Sequence, residues 1–332
     1  MMTEKPLLDL NLKLRTTTWT DVKAVADLIY AVCEADGDVT VAMPAEELEH
    51  EWHSNKFNPE TDSHVIETSD GRVIAYGEFY NHNLHVDLGA DLYVHPEFKG
   101  LGLFPSMLEW VEARACEDMK LAEPDLRVFI RSSMDGKDME ARSAHEAAGY
   151  KTVRFSWRME INLTEEPSAT VFPAGIELRP FDKEAHARLV LDAENEAFSE
   201  HWGSHAATFE EWSHRKLEKA EFDPTLWVIA WDGDQIAGFS QNRFRMGVGW
   251  VGTLGVRKPW RKSGLGLALL QHTFGEFYKR GMKTIGLGVD ASNKTGATHL
   301  YQRAGMSVAS EFITFEKEIR PGRDLEDASQ RE

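Results

Sequence analysis

The same set of short motifs occurs twice along this chain of 332 residues, in the same order and at nearly constant spacing. The corresponding positions are Leu14-Arg15 and Leu178-Arg179, Asp70-Gly71 and Asp232-Gly233, Val94 and Val256, Gly102 and Gly264, and Gly149 and Gly305. The middle three pairs are 162 residues apart and the last pair 156, so one loop differs in length by six residues. An internal duplication of this kind predicts two domains that share one fold, and the chain is long enough for two compact cores.

The boundaries between the two copies follow from composition. Thr164–Pro173 is rich in Pro, Ser, Glu and Thr, which is typical of a linker. We therefore expect an N-terminal domain at 1–163 and a C-terminal domain at 174–320. Residues 321–332 are highly charged and are expected to form a disordered tail.

Each copy begins with an alternating strand and continues into a helical stretch rich in Ala and acidic residues, which indicates a mixed α/β fold. Strands are predicted in the second copy at Ile176–Arg179, Leu226–Trp231, Gln235–Phe244, Val248–Val256, Thr284–Val289 and Met306–Glu318, and helices at Leu265–Arg280 and Thr295–Arg303. The Asp232-Gly233 dipeptide suits the tight turn of a hairpin, and Gly281 is the expected stop of the long helix.

Charge and composition exclude several classes of function. Lys and Arg number 37 against 55 Asp and Glu, a net charge of −18, which argues against binding to nucleic acid or to an anionic membrane. The two cysteines, Cys33 and Cys116, are too few for a disulfide framework or a metal cage of thiolates. No apolar run is long enough for a signal peptide or a membrane helix. We expect a cytoplasmic protein.

The most informative segment lies between a predicted strand and a predicted helix, from Val256 to Leu267. It carries Gly264 and Gly266, and small residues allow a backbone to approach a ligand closely. Four cations stand beside them: Arg257, Lys258, Arg261 and Lys262. Because a helix N-terminus offers free N–H groups and partial positive charge, this loop suits a pyrophosphate.

Two other phosphate loops are excluded by spacing. A Walker A motif needs Gly-Lys followed by Ser or Thr, whereas the order here is Lys262-Ser263-Gly264. A dinucleotide fingerprint needs a third glycine three positions after Gly266, where Leu269 stands. NAD is therefore not expected.

Arg261, Gly264 and Gly266 match the signature of the GNAT acyltransferases, which is Arg or Gln, two residues, Gly, one residue, then Gly or Ala. The chain resembles this family over nearly its whole length. The resemblance implies two tandem domains, each with a mostly antiparallel central sheet flanked by helices. It also implies acetyl-CoA as co-substrate. No metal is expected, because Gly203 weakens the helix that would align His201 with His205, and no third ligand is apparent beside His50 and His53.

By the same resemblance, the cofactor would be held by two stretches of backbone. The strand residues that would pair with pantetheine are Leu254, Gly255 and Val256, with glycine at 255 compatible with a bulge. The loop residues that would cradle the pyrophosphate are Arg261, Lys262, Ser263, Gly264, Leu265, Gly266 and Leu267. Asn293 would contact the cofactor, and Tyr301 would protonate the departing thiolate, which is reasonable for a phenol of pKa ~10.

The first copy departs from the family pattern. At the offset of 162, Lys99 takes the Arg or Gln position, but Phe104 falls where the second glycine should be. His145 stands at the position of Tyr301 and Lys137 at that of Asn293. The first half is therefore interpreted as a degenerate copy with a structural or substrate-shaping role.

The tandem arrangement resembles the mycothiol synthases and their actinobacterial relatives, in which the C-terminal half is catalytic. Those synthases carry an acidic residue near the start of the fourth strand, and the corresponding place falls on or near Trp250, which accepts no proton. The candidates for the general base lie instead in the α1–α2 region that usually lines the acceptor pocket: Glu196, Glu200, His201 and His205. The choice among them stays open.

The expected activity is transfer of acetyl from acetyl-CoA to a primary amine of a small molecule, by direct attack in a ternary complex. By the resemblance to the family, the backbone N–H of Val256 would meet the oxyanion. The alternatives are a non-catalytic acyl-CoA-binding or regulatory protein, and an acyltransferase that uses a longer acyl-CoA. A monomer or homodimer is expected.

Overall fold

The computed structural model describes residues 11–53, 57–201, 206–219, 221–293 and 296–325. The chain divides into two compact units. The first unit contains Met1–Phe155 and Phe312–Glu332, and the second contains Ser156–Glu311.

Strands and helices alternate in the same order in the two halves of the sequence. The described strands are β1 (Leu12–Thr16), β2 (Ser63–Thr68), β3 (Val73–Asn83), β4 (Asp87–Val94), β5 (Val128–Asp135), β6 (Lys151–Asn162), β7 (Ile176–Arg179), β8 (Val228–Asp232), β9 (Gln235–Arg245), β10 (Val248–Val256), β11 (Thr284–Asp290) and β12 (Ser307–Arg320). The described helices are α1 (Val22–Asp36), α2 (Ala45–Trp52), α3 (Pro59–Asp62), α4 (Leu103–Asp118), α5 (Met139–Ala147), α6 (Lys183–Phe198), α7 (Phe209–Leu217), α8 (Leu265–Lys279) and α9 (Ala297–Arg303). None of these helices combines the length and apolar character that a membrane crossing requires.

The first unit contains a sheet in the order β1-β2-β3-β4-β5, and the 312–320 part of β12 pairs with β5. The second unit has the order β6-β11-β10-β9-β8-β7. In each sheet one central pair is parallel, β4 with β5 and β10 with β11, and the other pairs are antiparallel. The predicted fold class, two tandem domains with mostly antiparallel sheets flanked by helices, is confirmed.

The elements predicted in the second half agree with the structure to within a few residues, because their signals are local. The β8–β9 hairpin turns at Gly233, whose φ is 56°, and α8 is followed by Gly281 at φ 85°. Helix α8 buries Leu270, Phe274 and Phe277 in a cluster that also contains strand residues of β10 and β11. Burial of such side chains supplies most of the stability of an amphipathic helix.

The compact units divide the chain at other places than the sequence pattern does. Strand β6 follows the first half in sequence but pairs with β11 of the second unit, and β12 follows the second half but pairs with β5 of the first. Residues 164–173, the predicted linker, contain neither helix nor strand. Within the predicted tail, Arg323 forms a bridge with Leu126, and residues 326–332 lie outside the described residues. The sequence-based domain boundaries stay a prediction.

Candidate active site

The central parallel strands of the second unit separate along their length. Residues of β10 pair with β11 only at Gly249 with Ile285 and Trp250 with Gly286. Strand β11 nevertheless continues to Asp290 in its pairing with β6. Among the described residues, the edge of β10 from 251 to 256 that faces β11 therefore has no strand partner. We call this opening the slot.

The direction of the backbone groups in the slot follows from the register of β10 with β9. Arg257 N donates to Ala237 O at 3.0 Å, so Arg257 and Ala237 form a hydrogen-bonded pair. Because such pairs alternate with non-hydrogen-bonded ones, the backbone groups of Val256 and Leu254 point away from β9. Arg261 Nε donates to the Val256 carbonyl at 3.2 Å. The N–H groups of Leu254 and Val256 therefore face the slot and are available to a ligand.

The bulge in β10 is not at Gly255. The register shifts between Val251 and Thr253, which places the extra residue at Gly252. Gly255 instead pairs regularly with Phe239, and a β-carbon at 255 would overlap the Phe239 ring. The glycine at 255 is therefore explained by packing against an aromatic ring, and the expectation that it forms the bulge is corrected.

The loop that follows β10 forms a turn ahead of helix α8. Lys262 and Gly264 have φ values of 62° and 89°, the left-handed region that turns the chain. Ser263 Oγ donates to Trp260 O at 2.7 Å and accepts from Leu265 N at 3.3 Å. The first N–H groups of a helix have no partner within the helix, and the N-cap residue Gly264 has no side chain to cap α8, so beyond Leu265 these groups have no side-chain partner in the part of the chain that is described. The loop residues fit a diphosphate group.

Two of the candidate bases are held by the loop cations. Arg257 donates to Glu196 through Nε at 2.6 Å, and Arg261 Nη1 lies 3.0 Å from Glu200. Lys258 Nζ lies 3.1 Å from the other Glu200 oxygen. The hydrogen bond from Arg261 is the main cause of the lowered pKa of Glu200. The fold therefore brings Glu196 and Glu200 to the loop, where they position cations.

His201 lies just after helix α6, next to the same loop residues. Its ring packs 4.6 Å from Phe198, and burial lowers its pKa, with the nearby Arg261 charge acting in the same direction. His205 lies outside the described residues.

Tyr301 is on α9, and 8% of it is exposed. Burial raises its pKa to about 12, so the phenol is protonated at neutral pH and retains a proton to donate. It belongs to an apolar cluster against which Leu254 of the slot packs. Helix α9 also meets the loop, because a β-carbon at Gly266 would lie 3.0 Å from Cδ1 of Leu300. Asn293 lies in the turn after β11, where its N–H donates to Asp290 O at 3.1 Å.

The first unit has a similar loop in which the anion position is already filled. Strand β4 pairs with β5 only as far as Ala90 with Ser132. Gly100, at φ 81°, corresponds to Lys262, but its N–H donates to both oxygens of Glu140 at 2.9 Å. The carboxylate of Glu140 therefore occupies the N–H group that corresponds to that of Lys262 in the second unit.

The other first-copy departures are engaged in contacts within the first unit. Lys99 Nζ lies 2.8 Å from Asp138, and Lys137 donates to Asp36 O at 3.3 Å. Phe104 is buried 5.4 Å from the ring of His145, which is itself buried. These contacts support the interpretation of the first half as a degenerate copy.

Sequence reasoning missed a polar cluster on the α6–α7 side of the second unit. Lys216 Nζ lies 2.6 Å from Thr253 Oγ1, and burial lowers the pKa of Lys216 to about 8. Glu194 accepts from Trp212 Nε1 at 2.8 Å and from Gln241 Nε2 at 2.7 Å. Nothing local in the sequence distinguishes Lys216 from its charged neighbours on α7, since only the tertiary fold places it against β10.

Comparison with known proteins agrees with this architecture. The family model described as Acetyltransferase (GNAT) family matches residues 188–306, which span the slot, the loop and α9. The mycothiol acetyltransferase of Thermobispora bispora is 30% identical over 228 residues, which cover 66% of this chain and 72% of that protein.

Two solved structures extend the similarity to both halves. The crystal structure of a GCN5-related N-acetyltransferase from Sphaerobacter thermophilus has 36% identity and a TM-score of 0.80, with 95% of this chain and 98% of that chain covered. A tandem GNAT protein from the clavulanic acid biosynthesis pathway shares the fold at 14% identity and a TM-score of 0.68, covering 94% of this chain and 100% of its own. The chain belongs to the GNAT family and has its tandem architecture. It is an N-acetyltransferase that depends on an acyl-CoA co-substrate.

Proposed function

We propose that this protein transfers the acetyl group of acetyl-CoA to a primary amine of a small molecule, by direct attack within a ternary complex. The second unit does the chemistry. The observation that carries the proposal is the slot between β10 and β11, which leads directly to the phosphate-binding turn at the start of α8. The name of the Thermobispora bispora relative supports a small-molecule acceptor.

Each residue of the site then has a chemical role. The loop from Arg261 to Leu267 binds the diphosphate, and Asn293 contacts the cofactor from the turn after β11. The backbone N–H of Val256, at the diphosphate end of the slot, pairs with the pantetheine arm, and that of Leu254, which is nearer the closed end, stabilises the oxyanion formed on attack. Tyr301 gives its proton to the thiolate as the C–S bond breaks.

The position of the thioester follows from the shape of the slot. The slot opens at the diphosphate loop and closes at the Trp250–Gly286 pair. Its two ends are about 20 Å apart, because six strand residues, 251–256, separate them. Because the thioester is at the far end of the arm from the diphosphate, it lies toward Gly252 and Thr253. The acceptor amine approaches at that end.

Calorimetric titration and a thiol-release assay test the proposal. Acetyl-CoA should bind at one site per chain, because Glu140 and Phe104 occupy the corresponding region of the first unit. Thiol release should then depend on an added amine, using glucosamine, glycinamide and spermidine as acceptors, and should be faster with acetyl-CoA than with propionyl- or succinyl-CoA. Binding without release for any amine would refute the catalytic proposal, and preference for succinyl-CoA would refute the acyl assignment.

A further inference from the structure

We propose that Lys216 is the base that removes a proton from the acceptor ammonium, in the polar cluster formed by residues of α6, α7, β9 and β10. The inference rests on the proposed function and assigns the proton acceptor that the sequence left open. It stands on the position of Lys216 at the closed end of the slot.

Lys216 lies beside the part of β10 where the thioester is expected. Its ammonium contacts Thr253, which directly follows the bulge at Gly252 and precedes the slot residue Leu254. No carboxylate lies within ion-pair distance of Lys216 in the parts of the chain that the structure describes. The residue is only partly exposed. A lysine removed from water without a direct counterion favours its neutral form, which is the form that accepts a proton.

Lys216 and Tyr301 lie on opposite faces of the sheet. Phe239, the neighbour of Gly255, packs with residues of α6 and α7, so Thr253 and Gly255 face those helices. Leu254 faces the other way and packs with the cluster of Tyr301. An amine attacking from the α6–α7 face would therefore expel the thiolate toward Tyr301.

The same polar cluster offers acceptors for an ammonium group. Gln241 is the cross-strand partner of Thr253 and is 3% exposed. Its Nε2 donates to Glu194, which leaves Oε1 buried and without a partner among the described residues. An ammonium group has N–H donors and no acceptor, so Gln241 Oε1 and the Glu194 carboxylate are complementary to it. The unpartnered amide oxygen points to a ligand that donates hydrogen bonds.

The reaction balances with these groups. The ammonium gives one proton to neutral Lys216, and the free amine forms a bond to the thioester carbon. The C–S bond then breaks, and the thiolate takes the proton of Tyr301. The nitrogen of the new amide loses its extra proton to solvent, and the tyrosinate is reprotonated from solvent. Lys216 releases its proton to solvent before the next turnover.

Charged groups on the surrounding elements change the pKa of Lys216. The negative charge of Glu194 on α6 favours the protonated form of Lys216. The positive charges of Arg243 on β9, of Arg215 on α7 and of Lys219 just after α7 disfavour that form. Burial is the largest influence and brings the pKa to about 8. We therefore expect kcat, measured with both substrates saturating, to rise with pH through an apparent pKa near 8.

The test compares Lys216→Met and Lys216→Arg with Lys279→Met, an exposed lysine on α8 that serves as the matched control. The assay uses the most active of glucosamine, glycinamide and spermidine as the acceptor. Lys216→Met should lower kcat about 10²-fold at pH 8, and its pH profile should no longer show the rise in kcat near pH 8. Lys216→Arg should not restore it, since arginine stays charged. The acetyl-CoA affinity of both variants and the kinetics of Lys279→Met should match the wild type.

A second measurement does not depend on turnover. Brief labelling with acetic anhydride across pH 6–11, followed by peptide mass spectrometry, should show a reactivity midpoint near 8 for Lys216, well below the range of an ordinary lysine side chain. A midpoint near 10 for Lys216 would overturn the proposal. A Lys216→Met enzyme that keeps the wild-type kcat and its pH dependence would also overturn the proposal, as would one in which only the KM for the amine rises. Absence of turnover in the wild type would instead refute the proposed function, on which this assignment depends.

Discussion

Replacing Gly266 tests whether the turn before α8 is the diphosphate site. Gly266 is the second residue of α8, and a β-carbon there would lie 3.0 Å from Leu300 Cδ1 and 3.6 Å from Val256 Cγ2. An alanine gains up to about 1 kcal/mol of helix propensity, and a leucine methyl can move by a few tenths of an ångström. We therefore expect Gly266→Ala to change the free energy of unfolding by less than about 1 kcal/mol.

A valine at the same position adds two methyl groups to an occupied space. Overpacking of this kind costs roughly 1–3 kcal/mol, and it displaces α9 from the loop. Gly275→Val on the same helix is the matched control, because nothing lies within 4 Å of a β-carbon at 275. Urea unfolding should show the loss for Gly266→Val only. Calorimetry should show at least a tenfold weaker affinity for acetyl-CoA, about 1.4 kcal/mol, for the same variant. Wild-type affinity in Gly266→Val would refute the assignment of the loop.

The remaining expectations concern other parts of the molecule. Tyr301→Phe should lower kcat about 10²-fold with acetyl-CoA affinity unchanged, and an unaltered kcat would remove Tyr301 from the mechanism. Gly255→Ala should lower the free energy of unfolding by roughly 1–3 kcal/mol because its methyl group overlaps Phe239, which urea unfolding would measure. The pKa of Lys216 is lowered on folding from 10.5 to about 8, so stability should rise between those pH values, by at most about 3 kcal/mol, and Lys216→Met should abolish that rise. Glu140→Ala should leave one acetyl-CoA site per chain in a calorimetric titration, whereas a second site would show that Glu140 alone closes the first unit.

The sequence predicted those features that depend on local patterns. Alternation and glycine positions located β10, α8 and the turn between them, because a turn with left-handed residues and a helix N-terminus is encoded within about ten neighbouring residues. The duplication similarly identified which half keeps Gly266 and Tyr301.

What the sequence could not supply depends on tertiary packing. Glu196 and Glu200 were candidate bases by their place in the chain, but the fold sets them against Arg257 and Arg261, 61 residues away. Lys216 resembles any charged residue of an amphipathic helix until Thr253, 37 residues later, is packed against it. The exchange of β6 and β12 between the two units is likewise invisible in a linear pattern, because each strand follows its own half in sequence.

The two copies share the geometry of the loop, but among the described residues only in the first does a carboxylate of the protein occupy a backbone N–H group of the loop. In both units the central parallel strands separate, and a left-handed residue turns the loop at the same place. In the first unit a carboxylate binds the loop N–H, so an incoming phosphate would have to displace one anion from a hydrogen bond and then sit beside it. At the offset of 156 residues the second unit has Gly296 in place of Glu140, which carries no side chain to fill that position. We therefore expect a few side chains at the mouth of the loop, rather than the fold, to decide which copy accepts the co-substrate.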